Sequence, residues 1–127
     1  MHNESMLLEH SPRKHALSFK YAFQGIHYVL KTQANFRIHI ITAILVIALA
    51  YMLRFSELEW IVLFITISFV FILELINTVF EVLVDHLWQE ENPRAKIIKD
   101  VAAGAVLIGA IGAAIIGVFL FAPYFLV

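Results

Sequence analysis

From Val101 to Val127 the chain carries no charged side chain. That apolar run exceeds the about 20 residues needed to cross a bilayer. Two others precede it: Ile38–Leu53, "IHIITAILVIALAYML", slightly short unless its flanks extend it, and Trp60–Val84, "WIVLFITISFVFILELINTVFEVLV". Each has to be helical, because hydrocarbon offers no partner to an open backbone group. With 127 residues and 61% hydrophobic content, the chain is too small to hide its apolar surface in a core of its own. The expected fold class is therefore all-α membrane protein. A single membrane domain, 1–127, would hold transmembrane helices at 38–53, 60–84 and 101–124.

Charge sets the orientation. Arg13, Lys14, Lys20, Lys31 and Arg37 precede the first span, Arg94, Lys96 and Lys99 lie in the second link, and only Arg54 lies between the first two spans. The positive-inside rule then puts the N-terminus and the second link in the cytoplasm. The link Arg54–Glu59 is short enough for a tight helical hairpin, and Pro93 breaks the second link. Trp60 and Trp88 flank the second span as interfacial anchors would. A net charge of -1 gives no basic excess for nucleic acid, and the absence of cysteine excludes disulfides and thiolate metal sites. The polar start "MHNESMLLEHSPRKH" does not read as a secretory signal. Residues 1–12 are expected to be a flexible N-terminus.

Residues 13–35 read as an N-terminal amphipathic interfacial helix. Phe19, Ala22, Phe23, Ile26, Val29 and Leu30 recur at helical spacing, with Lys20, Gln24, His27 and Lys31 opposite them. Such a helix is either a surface anchor or a lid over an interfacial site. In the third span Ala105, Gly109, Ala113 and Gly117 recur at every fourth position, which reads as close helix packing. The six histidines show no metal-ligand spacing and are expected at the surface or the interface. No P-loop motif is present.

The second span holds the chemistry. At 100° per residue Glu74, Asn77, Glu81 and Asp85 fall within an arc of about 80°, spread over about 16 Å of helix. An acidic residue at the middle of a span costs about 2.5–3.5 kcal/mol, so the stripe has to face protein, water or a ligand. Lys99 and Asp100 lie across the second link, at the mouth of the third span. Carboxylates beside a lysine at a membrane surface suit Mg²⁺ and a phosphate chain. The deepest carboxylate, Glu74, suits general-base work on a lipid hydroxyl. The plainer reading is a polar seam that bonds helices together, and a stripe of four polar residues facing Lys99 and Asp100 argues against it.

"ELINTVFEVLVD" (Glu74–Asp85) followed by "AKIIKDVAAGAVLI" resembles the signature region of the small prokaryotic diacylglycerol kinase family, which includes the undecaprenol kinases. "FKYAFQGIHYVLKTQANFRIH" (Phe19–His39) is similar to the family's interfacial helix and its junction with the first span. The resemblance implies a homotrimer in the bacterial inner membrane, with sites shared between neighbouring subunits, that uses ATP and Mg²⁺ to phosphorylate a lipid alcohol. Carried over by position, Glu74 is the base and also meets the lipid substrate, while Glu81 and Gln33 hold the metal. Tyr21, Gln33, Asn77, Glu81, Asp85, Glu90, Glu91, Asn92, Lys99 and Asp100 surround the nucleotide, and Lys14 and Ala103 lie near the lipid. Gln33 stands where the family's best-studied members have a second metal-binding glutamate, which removes one negative charge. Glu90-Glu91-Asn92 also departs from those members. "NFRIH" (Asn35–His39) and "KDVAAGAVL" (Lys99–Leu107) look closer to the undecaprenol-kinase branch.

Two other classes fit parts of the pattern. A small proton or ion pathway would use the stripe as a relay, although the uncharged third span does not continue it. Flux into liposomes without ATP would mark that class. A catalytically inactive membrane module would bind ATP without turning it over.

Overall fold

The computed structural model of the chain describes residues 12–126. The segment 1–11, expected to be flexible together with Pro12, lies outside the described residues, as does the side chain of Lys14. Four helices follow in order: α1 (Pro12–Thr32), α2 (Ala34–Met52), α3 (Glu57–Leu87) and α4 (Pro93–Phe125). No strand occurs among the described residues. α2, α3 and α4 are each long and apolar enough to cross a membrane.

The helices outrun their apolar windows because capping, not hydropathy, sets their ends. Ser56 and Glu59 form a capping box that starts α3: the Ser56 hydroxyl accepts from the Glu59 N–H at 3.3 Å, and the Glu59 carboxylate accepts from the Ser56 N–H at 2.7 Å. Asn92 caps α4 by accepting from the N–H groups of Arg94 and Ala95, with Pro93 in the first turn, where a missing N–H is harmless. At the end of α2, Arg54 adopts φ 59°, and the N–H groups of Arg54 and Phe55 donate back to the carbonyls of Tyr51 and Ala50. This is a Schellman closure, with Arg54 in the left-handed position that glycine usually takes. Its apolar contact is also present, since Phe55 and Ala50 share one buried cluster with Leu63.

The interfacial helix expected through residue 35 ends at Thr32. Gln33 is extended, at φ -109° and ψ 108°, and α2 begins at Ala34. Arg37 supports the break by reaching back to the carbonyls of Leu30 and Lys31 at 3.0 and 3.1 Å, which the ended helix leaves without intrahelical partners.

α3 is the central helix: α4 packs along it most extensively, α2 lies against it, and α1 touches both α2 and α3. Its 31 residues span about 46 Å, well beyond the about 30 Å of a hydrocarbon core, so its ends reach the interfaces. At the hairpin end Phe55 gathers Trp60, Phe121 and Tyr124, with ring centroids 4.8–6.0 Å away. The Tyr124 hydroxyl donates to the Glu59 carboxylate at 2.8 Å, so the far end of α4 is tied to the first turn of α3.

Gly109 sets the approach of α4 to α3. A Cβ there would lie 2.3 Å from Leu73 Cδ1 and 3.6 Å from the Phe69 ring. Of the small-residue stripe, Gly109 alone is buried among the described residues. Ala113 and Gly117 instead line a cleft between α2 and α4. We expect Gly109→Leu to destabilise the fold by about 1–3 kcal/mol through overpacking. Adding Leu73→Ala should recover part of that loss, read from unfolding midpoints in detergent. Strict additivity of the two changes would contradict the packing described.

Candidate functional site

The site is built on one face of α3. Its buried residues are Leu63, Val70, Glu74, Asn77, Thr78 and Val84, a run at helical spacing that turns polar halfway along. Glu74 is 2% exposed and Asn77 8%, while Glu81 is half-buried and Asp85 exposed. The stripe therefore grades from a sealed carboxylate to a surface one. Thr78, within the same stretch, donates its hydroxyl to the Glu74 carbonyl at 2.9 Å, so it bonds its own helix instead of the site.

Two polar side chains meet at Glu81. Gln33 Nε2 donates to Glu81 Oε2 at 3.3 Å, and Asn77 Nδ2 donates to Glu81 Oε1 at 3.1 Å. Gln33 reaches this point because the α1–α2 break places it beside α3. The Asn77 Oδ1 atom is buried with no hydrogen-bond partner among the described residues. A buried oxygen left unbonded is costly, which makes it a candidate contact for a bound group.

Lys99 and Asp100 do not act as one pair. Consecutive helical residues point about 100° apart, and here they take different partners: Lys99 bonds Asp85 across the link, and Lys96 bonds Asp100 one turn on. The Lys99 ammonium thus closes the surface end of the α3 stripe. Glu90 and Glu91 are exposed in the α3–α4 link, and the side-chain oxygen of Asn92 is engaged in capping α4. Tyr21 is exposed on α1, and Ala103 on α4. The structure thus joins Gln33, Asn77 and Glu81 in one cluster and Asp85 and Lys99 in a second. It brings none of Tyr21, Glu90 or Glu91 into hydrogen-bonding contact with either cluster.

One site residue was not expected. His39, assigned with the other histidines to the surface or interface, lies 3.1 Å from the Glu74 carboxylate through its Nε2 atom and is only partly exposed. This is ion-pair distance, and no other side chain among the described residues hydrogen-bonds Glu74 Oε1. The signal was present in the sequence. Phe36, Ala43 and Ala50 are the buried residues of α2, and His39 falls three after Phe36 and four before Ala43, on the same face. An ionisable residue on the inward face of a span calls for a partner, and Glu74 is that partner.

Comparison with known proteins gives one consistent result. The sequence matches the family described as Prokaryotic diacylglycerol kinase over residues 20–121. A Synechocystis protein named Diacylglycerol kinase is 46% identical over 84% of this chain, and the match spans 62% of that longer relative. A Bacillus subtilis protein named Undecaprenol kinase is 39% identical, over 84% of this chain and 86% of its own. A Helicobacter pylori protein named Diacylglycerol kinase is 37% identical over 83% of each.

The Glu81 cluster makes a prediction about charge. Gln33→Glu replaces an amide donor with a second carboxylate facing Glu81, so the variant should lose about 1–3 kcal/mol in chelator. Millimolar Mg²⁺ should restore more of the variant's unfolding midpoint than it adds to the wild type. Equal responses to Mg²⁺ would show that the two side chains do not share a site.

Proposed function

The chain belongs to the prokaryotic diacylglycerol kinase family, and from that premise we propose that it is an ATP-dependent lipid kinase. It transfers the γ-phosphate of ATP to the hydroxyl of a membrane lipid alcohol of the diacylglycerol or undecaprenol type. The observation that carries this reading is the graded stripe on α3, a sealed carboxylate at one end and a lysine-bound one at the surface.

Glu74 takes the proton of the lipid hydroxyl. The alkoxide oxygen forms its bond to the γ-phosphorus as the bond to the β–γ bridging oxygen breaks, and ADP leaves with that electron pair. Little of this is covalent work for the protein, which contributes position and charge. Lys99 exchanges Asp85 for phosphate oxygens, and Asn77 bonds the same chain. Tyr21 on α1, with Asp85, Glu90, Glu91, Asn92 and Asp100 around the α3–α4 link, borders the nucleotide. Lys14 and Ala103 are assigned to the lipid substrate.

The donors around Glu81 fit a magnesium ion. Mg²⁺ asks for one or two carboxylates and completes its shell with phosphate oxygens and water. Glu81 offers one carboxylate, the unbonded Asn77 Oδ1 a second oxygen, and Gln33 a third once its amide is turned over. The bound ion would neutralise charge on the triphosphate. The same residues hold their places without it, because the two amides already bond both carboxylate oxygens of Glu81.

The working unit is a homotrimer in the bacterial cytoplasmic membrane, with the N-terminus and the α3–α4 link on the cytoplasmic side. The two other spans arranged about α3 leave the Asp85–Lys99 end exposed, and a neighbouring subunit supplies the wall that one chain lacks.

Purified protein given labelled ATP, Mg²⁺ and either diacylglycerol or undecaprenol should place label in one of the two lipids. Glu74→Gln should lower the rate at least about 100-fold while the assembly elutes unchanged. Near-full turnover by that variant would remove Glu74 as the base. Label in neither lipid, from a verified trimer, would remove the kinase reading.

A further inference from the structure

We propose that His39 is a positioning residue for Glu74, holding one oxygen of the carboxylate so that the other meets the acceptor hydroxyl. The proposal rests on the reading of Glu74 as the base and goes beyond it, because it assigns a second helix to the reacting group.

The two residues come from different spans, α2 and α3, and meet at 3.1 Å. Glu74 is the most completely buried large side chain in the described protein, and Oε1, the atom that faces His39, has no other polar partner among the described residues. A proton acceptor has to point in one direction, and a partner held against one carboxylate oxygen sets where the other points. His39 is the ring positioned to fix it.

A second observation places His39 at the edge of an apolar cleft. The imidazole lines a cleft of about 560 Å³ between α2, α3 and α4, whose walls include Thr42, Val70, Phe71, Ala113 and Gly117. The ring therefore separates the sealed carboxylate from an apolar space within the bilayer. A carboxylate facing that space alone would be expensive, and an imidazole beside it lowers the cost. In this arrangement His39 acts on orientation and not on nucleotide binding, because the Glu81 cluster and Lys99 are held by other partners.

The test compares wild type, His39→Leu and His39→Gln with saturating ATP, Mg²⁺ and lipid alcohol. His39→Leu should lower kcat about 10- to 100-fold, with KM for ATP changed less than about twofold. His39→Gln, which restores an N–H, should recover most of the rate. In a Glu74→Gln background His39→Leu should cost nothing further, since the two act as one unit. The ¹⁵N resonance of the His39 ring, identified by its loss in His39→Gln, should move when Glu74→Gln is introduced. That readout needs no turnover. A moving resonance in a protein that phosphorylates neither lipid would therefore overturn the kinase reading while the pairing stands. Full kcat in His39→Leu, or a ring resonance indifferent to Glu74→Gln, would overturn the proposal. So would equal loss in both His39 variants accompanied by a lowered unfolding midpoint, which would make the pair a bond between helices and nothing more.

Discussion

The structure depends on keeping Glu74 out of lipid. A carboxylate near the middle of a span is tolerated only where protein or water surrounds it, and Glu74 is 2% exposed. That requirement makes α3 the central helix. α4 packs along it, α2 brings His39 to the carboxylate, and α1 ends one residue before Gln33 so that this amide can reach Glu81. The other three helices can be understood as the housing that an acidic α3 requires.

The two ends of α3 are secured by different means. At the hairpin end the contacts are fully paired: a Schellman closure, a capping box and the Tyr124–Glu59 bond around a cluster of aromatic rings. None of these groups has a role in the proposed chemistry. Toward the α3–α4 link the ion pairs are exposed, Lys96–Asp100 within α4 and Asp85–Lys99 across the link. The rigid end fixes how α4 lies on α3, and the looser end leaves charged groups able to exchange partners.

What was legible in the sequence follows from periodicity. The three spans came from hydropathy, and the stripe came from the 100° rotation that places Glu74, Asn77, Glu81 and Asp85 on one face. Helix ends were less legible because they rest on single hydrogen bonds: Ser56-Glu57-Leu58-Glu59 is a capping-box pattern lying outside the apolar window that suggested a start at Trp60. Asn92 was read as a nucleotide neighbour, but Asn-Pro ahead of a helix is equally an N-cap signal, and its oxygen is engaged there. Lys99 and Asp100 were read together because they are adjacent in sequence, although adjacency on a helix separates side chains. The break at Gln33 depends on Arg37 reaching back across the junction, a contact that no local pattern announces.

The weakness of the Asp85–Lys99 pair has a consequence for how ATP would enter in the proposed reaction. Exposed ion pairs contribute roughly 0–1 kcal/mol, so little opposes the transfer of the Lys99 ammonium to a triphosphate. A buried pair would break at several times that cost. Glu74 presents the opposite case, sealed and faced by His39, where a loosely held carboxylate would lose the orientation a proton acceptor needs. The gradient of burial along α3 thus matches two demands of the proposed reaction: mobility where a soluble, highly charged substrate would be exchanged, and fixity where a single proton would be moved. A site lacking that gradient, with both ends buried or both exposed, would meet only one of them.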